Sequence, residues 1–264
     1  MRRNSIILLL AAIVFISGCD GTTKNSNTTN RNANANSNSA VVIKPPDPLK
    51  PSEAVDPTFK TCNAYFPLVP GSVAKYVINY SSGIVADLTI VVDAADEGGR
   101  KVFTQRSQLV DRSGGMQIIQ DVTRKFVCDG DRVQILSENT DSNIEGQKSS
   151  AEFQYRENSL VMIDPKSMAT KGSTWQHAFR IIYHKPGQPP SASDEPTVII
   201  FEVMGPQDVT TPVGTFKTVA VNRKNRDASV IDYYTPGLGL VKRQAKEGTS
   251  WEIKEFSGLK PQDL

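Results

Sequence analysis

From Phe59 onward, short runs rich in Val, Ile, Thr, Tyr and Phe alternate with turns built on Gly, Pro, Asn and Asp, and this rhythm restricts the chain to antiparallel β-structure. The two-residue period of a strand puts Ala74, Tyr76, Ile78 and Tyr80 on one face of Val73–Tyr80. Ser81-Ser82-Gly83 turns into Ile84–Asp93. Glu97-Gly98-Gly99-Arg100 separates that run from Val102–Val110, and Ser113-Gly114-Gly115 leads into Met116–Cys128. Asp129-Gly130 is the clearest hairpin signal, because both turn residues tolerate positive φ. Residues 139–150 read as a polar loop, before strands around Ala151–Arg156 and Leu160–Ile163. Further on, Trp175, His177, Phe179, Ile181 and Tyr183 share a strand face. Strands are then expected at Thr197–Met204, Thr215–Asn222, Ser229–Tyr234, Leu238–Ala245 and Ser250–Phe256, with Gly205-Pro206 among the breaks. No stretch carries a convincing helical period. The fold class is all-β and antiparallel.

Gly71-Ser72 and Gly172-Ser173 each precede a strand bearing aromatic residues, near the start of two halves of roughly a hundred residues. A duplicated β unit accounts for this echo, as does coincidence between two strand starts.

The N-terminus is of a different kind. Met1-Arg2-Arg3-Asn4 is basic, Ile6–Ile16 is apolar and too short to span a bilayer as a helix, and Ile16-Ser17-Gly18-Cys19 closes the segment. This resembles a bacterial lipoprotein signal, which implies cleavage after Gly18 and acylation of Cys19. Residues 19–57 are Asn-, Ser- and Thr-rich and then Pro-rich, without periodicity, and read as a disordered tether reaching roughly 35 Å. The expected organisation is signal 1–18, tether 19–57, β domain 58–258 and C-terminal tail 259–264.

Of 30 basic residues two lie in the signal, which leaves 28 against 28 acidic ones. A balanced chain without basic clusters argues against a nucleic-acid partner. Arg223-Lys224 and Lys242-Arg243 read as solvated strand faces. With Cys19 lipidated, Cys62 and Cys128 remain; in an oxidising compartment they form a disulfide, the alternative being two buried thiols.

Phe66-Pro67-Leu68-Val69-Pro70-Gly71 with Tyr76, Pro212-Val213-Gly214-Thr215-Phe216, and Tyr234-Thr235-Pro236-Gly237-Leu238-Gly239-Leu240-Val241-Lys242 resemble signatures of a group of poorly characterised exported bacterial β domains. Ala74 departs from that pattern, which usually has an aromatic there. The resemblance implies a strongly curved antiparallel sheet similar to the half-barrels of the lipoprotein-localisation carrier and receptor. It brings no catalytic residues. Gly214, Gly237 and Gly239 have a structural reading as turn and bend positions.

Chemistry is sparse. His177 and His184, the two histidines, fall on opposite faces of one extended stretch and cannot share a metal. No nucleophile elbow or zinc-protease helix motif is present. Asn139–Gly146 lacks the glycine and the bidentate glutamate of a calcium loop, having Ile144 and Ser150 in those places. The remaining candidate is the aromatic face. Tyr76, Ile78, Tyr80, Trp175, His177 and Phe179, with Tyr233 and Tyr234, either fill a curved sheet as core or line a cavity for an apolar ligand.

The expected function is therefore non-catalytic binding or assembly at the bacterial cell envelope, with no cofactor and no metal. The expected partners are the membrane through Cys19, a lipid or other apolar ligand, and an envelope protein. A structural interaction module is the alternative, and a hydrolase assembled from distant Asp, Glu and Tyr residues would leave no motif. Replacing Cys19 with Ser is expected to abolish acylation and release the protein from membranes; fractionation showing unchanged attachment would refute the anchor.

Overall fold

The computed structural model describes residues 46–111, 118–144, 146–155, 163–226, 228–262 and 264; Cys19, the signal and the tether to residue 45 lie outside them. Along the chain run β1 (Val73–Asn79), β2 (Val85–Glu97), β3 (Arg100–Asp111), β4 (Ile118–Asp129), β5 (Arg132–Ile144), β6 (Gln147–Tyr155), the short helix α1 (Pro165–Met168), β7 (Thr174–His184), β8 (Ser191–Ala192), β9 (Thr197–Thr211), β10 (Gly214–Lys224), β11 (Ser229–Thr235), β12 (Gly239–Ala245) and β13 (Ser250–Ser257). All pairings are antiparallel. The order is β6-β5-β4-β3-β2-β1-β13-β12-β11-β10-β9-β7, with two-residue β8 on the flank of β7.

β6 also pairs with β7, from Ser150 opposite His184 to Tyr155 opposite Phe179, so the sheet closes into a 12-strand barrel. This corrects the expectation of an open, half-barrel-like sheet. The connection through α1 returns β7 along the free edge of β6, and each strand satisfies the other's backbone groups; among the described residues no long edge is left unpaired. Two local expectations change as well. Within the polar stretch 139–150, residues 139–144 and 147–150 are strand, in β5 and β6, because their inward side chains, buried Thr140 among them, face a polar lumen. Gly205 does not end a strand but sits at a bulge in β9, where the register against β10 shifts between Ala220 and Val221. The β9–β10 tip beyond the bulge packs back on β12 and β13, with Val209 in one apolar cluster with Ala220, Tyr233 and Val241.

The barrel consists of two six-strand meanders, β1–β6 and β7 with β9–β13, that repeat each other's geometry. Gly71 N donates to Val92 O and Val92 N to Ser72 O; Gly172 N donates to Val203 O and Val203 N to Ser173 O. Following the registers outward from Val92 and Val203 matches Gln105 with Val221, Ser107 with Arg223, Val122 with Val230, Arg124 with Asp232, and Glu138 with Arg243. Even the register shifts coincide, between Lys125 and Phe126 in one half and between Tyr233 and Tyr234 in the other. The Gly-Ser echo in the sequence thus marks equivalent points of the two meanders.

One end of the barrel is capped by the segment that precedes β1. Asn63 is buried and uses both ends of its amide: Nδ2 donates to Asp131 O and Ile163 O, while Oδ1 accepts from the backbone of Tyr65 and Phe66. Ala64 O accepts from Gly237 N, and Lys260 N donates to Gly237 O. A side chain at Gly237 has no room, since its Cβ would lie 2.0 Å from Lys260 O. Residues 50–57, read from the sequence as the end of the tether, also touch the wall. Ser52 donates from its backbone N and Oγ to Asp93, and Glu53 Oε1 accepts from Ala94 N.

Cys62 and Cys128 form a disulfide that fastens this cap to the end of β4 across 66 positions of sequence. In the chain-entropy account a loop of that size contributes about 4 kcal/mol. Replacing both cysteines with Ala is expected to lower unfolding free energy by about 2–4 kcal/mol in urea titrations. An unchanged midpoint would show that the cap is held without the bridge.

Candidate functional site

A barrel of about eight strands is filled by its own side chains, and the diameter grows with strand number. Twelve strands therefore leave more space than aliphatic residues occupy. Here apolar packing fills part of the interior: Phe103, Phe126, Val133 and Ile135 with Leu68 of the cap towards one end, Ile78, Ala86, Leu109 and Ile118 towards the other. Between them lies a cavity of about 200 Å³. Its apolar wall includes Leu88, Ile90, Ile199 and Phe201; its polar wall includes Gln105, Gln120, Arg124, Glu138, Arg223 and Arg243.

Alternation on each strand explains how charges come to be inside. Arg223 follows Val219 and Val221 at the same parity, and Asp232 lies between Val230 and Tyr234. These positions point into the lumen whatever residue occupies them. The pairs read from the sequence as solvated are split by the same rule. Arg223 and Arg243 turn inward, whereas Lys224 binds Glu202 and Lys242 binds Glu252, all four on the outer side and partly exposed. Lone charges at apolar parity were the available sequence signal.

The lumen charges form two groups. Arg243 grips Asp232 through two hydrogen bonds, Nε to Oδ1 at 2.6 Å and Nη2 to Oδ2 at 3.0 Å, and its guanidinium stacks over Trp251 at 4.4 Å. Tyr234 Oη donates to Asp232 Oδ2 at 3.2 Å, and Arg223 Nη1 lies 3.7 Å from the same oxygen. In the matching place of the other half, Arg124 Nη2 donates to Glu138 Oε1 at 2.8 Å and Tyr155 Oη to Glu138 Oε2 at 2.6 Å. The equivalent positions carry ion pairs with their signs exchanged. Tyr76 Oη donates to Leu240 O at 2.7 Å.

Burial works against the charges on Asp232, Arg124, Arg223 and Arg243, and pairing outweighs it for three of the four. For Asp232 burial raises the carboxyl, but the charges of Arg243 and Arg223 and the hydrogen bonds from Arg243 and Tyr234 outweigh it and hold the group below its usual range. Burial likewise opposes the charge on Arg243 and Arg124, and Asp232 and Glu138 respectively more than offset it. Arg223 is the exception. Burial, then the neighbouring Arg243, pull it down to about 10 against the attraction of Asp232. It remains protonated at neutral pH. Burial pushes Tyr76, Tyr155 and Tyr234 up, so their hydroxyls stay neutral donors.

Of the residues singled out from the sequence, Tyr76, His177, Phe179 and Tyr234 line the cavity. Ile78 is buried in the packing towards one end, and Tyr80 is partly buried against the same cluster, its hydroxyl pushed by burial up to about 12. Trp175 stacks flat on Phe201 at 4.9 Å, and Tyr233 belongs to the apolar cluster under the β9–β10 tip. Arg124, Glu138, Arg223, Asp232 and Arg243 were not among the sequence candidates. Among the described residues no group of three or more His, Cys, Asp and Glu side chains is placed to hold a metal.

No family model matches the chain, and no curated protein matches it. Among solved structures it is similar to a "putative exported protein with YmcC-like fold" from Bacteroides fragilis, at 14% identity and a TM-score of 0.48, covering 74% of this chain and 100% of that one.

Removing one member of a buried ion pair leaves its partner uncompensated and costs about 3–5 kcal/mol. Asp232→Asn is expected to lose stability in that range. It is also expected to alter the acid limb of the stability profile. Because the folded carboxyl is held low, its contribution is present above the unfolded value of about 4 and is lost as pH falls through the folded value. Urea titrations across pH should show wild type losing this contribution in acid and Asp232→Asn having none to lose; parallel profiles would contradict the assignment.

Proposed function

We propose that this chain is an exported cell-envelope protein, tethered to a membrane through lipidated Cys19, that holds a small ligand with an apolar body inside its barrel and catalyses no reaction. The observation carrying this reading is the cavity, walled by Leu88, Ile90, Ile199 and Phe201 on one part and by buried hydrogen-bonding groups on another. Binding sites have this composition, mostly apolar with a few placed polar groups that orient the occupant. Export is supported by the layout of residues 1–19 and by the Cys62–Cys128 disulfide, which suits an oxidising compartment. Among the described residues, the lumen carboxylates Glu138 and Asp232 are engaged in ion pairs and tyrosine hydrogen bonds of structural character.

Native mass spectrometry of the full chain, purified from envelopes under mild conditions, is the test. The reading predicts a retained non-covalent small molecule that is released on unfolding. The mass of the chain alone, with lumen water exchanging freely, would count against it.

A second reading, a protein-interaction module of an envelope complex, draws on the outer face of β9. Val198, Ile200 and Met204 alternate there, each about two-fifths exposed. Crosslinking in cells that recovers a stoichiometric partner, without small-molecule retention, would favour it.

A further inference from the structure

We propose that the segment following β13, residues 258–262, is a strap over the cavity that lifts to admit and release the occupant. The inference rests on the ligand-holding reading above and adds how that site is gated.

Two segments meet on the turn between β11 and β12. Leu238 and Gly239 of the turn line the cavity, and so do Tyr65 and Pro67 of the cap and Leu259 of the strap. The cap lies on one side of the turn. Gly237 N donates to Ala64 O at 2.7 Å, and a Cβ at Gly239 would sit 3.0 Å from Pro67 Cδ. The strap lies on the other side. Lys260 N donates to Gly237 O at 3.3 Å, and Gln262 N donates to Pro236 O at 2.8 Å. A Cβ at Gly237 would come within 2.0 Å of Lys260 O, so the strap seats only on a residue without a side chain. The glycines of Pro236-Gly237-Leu238-Gly239 thus let two covers approach the same void.

The two covers are held in different ways. The cap is bonded covalently to β4 through Cys62–Cys128, and Asn63 ties it to the backbone at Asp131 and Ile163. The strap is latched on the turn by its two backbone hydrogen bonds. Leu259 is partly buried, whereas Lys260, Pro261 and Gln262 are exposed. Its root is fixed, because a Cβ at Gly258 would fall 2.6 Å from Val55 Cγ2 and 3.1 Å from Ser72 Cα. Movement therefore starts beyond Gly258, at Leu259, the residue that faces the cavity. Parts of a fold with few buried contacts and exposed backbone hydrogen bonds open first, and ligand-admitting segments are drawn from them. Lifting the strap breaks two such bonds; parting the wall would separate laddered strands.

Hydrogen exchange on the full chain carrying Cys19→Ser reads the strap without any ligand. The amides of Lys260 and Gln262 are expected to exchange at least about a hundredfold faster than that of Gly237, which donates to the cap from the same turn. Equal protection would overturn the strap and leave the ligand-holding reading standing. Stopped-flow binding of N-phenyl-1-naphthylamine, an uncharged apolar fluorophore, reads the gating. A chain ending at Gly258, and Gly237→Ala in the full chain, are each expected to raise association and dissociation rates together by at least about tenfold, with Kd changed by less than about threefold. Their urea midpoints report whether both fold. Unchanged rates would overturn the gate. A faster dissociation alone would make Leu259 a wall contact and overturn it as well. Absence of saturable binding by all three proteins would overturn the ligand-holding reading, and the gate with it, whatever the exchange shows.

Discussion

Six backbone pairings between β6 and β7, from Ser150 with His184 to Tyr155 with Phe179, turn a long antiparallel sheet into a closed wall. Closure satisfies both outer strands but encloses a lumen wider than aliphatic side chains fill. The rest of the structure answers that problem. Large aromatic residues occupy part of the space, the disulfide-fastened cap closes one end, and ion pairs occupy the waist. What is left over is the cavity.

The two meanders answer it in the same way with different residues. Where one half has arginine facing glutamate, the other has aspartate facing arginine, each with a tyrosine donating to the carboxylate. Buried pairs of this kind give little net stability, because desolvation consumes most of the attraction. They do fix which side chains face which, since any register slip would strand a charge. Arg223 breaks the correspondence, and it does so in the wall of the cavity rather than in packed core.

Much of the fold is legible in the sequence because alternation and turn chemistry are local. Asp129-Gly130 makes the β4–β5 hairpin turn, and the Gly-Ser turns open equivalent strands. Closure is not local. It depends on β6 and β7 meeting in register across the α1 connection, and no residue there announces it. The site was half legible for a similar reason. Aromatic residues such as Tyr76, His177 and Phe179 stand out on an alternating face, and they do line the cavity. Arg223 and Arg243 were read as solvated because charge ordinarily means water. Parity with Val221 in one case and with buried Ala245 in the other carried the contrary message, which only a polar lumen makes sense of.

The central claim is that the lumen is built around a space for an occupant rather than packed shut. A high-resolution crystal structure of the protein as purified from its own envelope tests this most directly. The account predicts density for a bound small molecule inside the lumen, lying along Leu88 and Ile199. Side chains meeting across the waist, with neither density nor room between them, would contradict it.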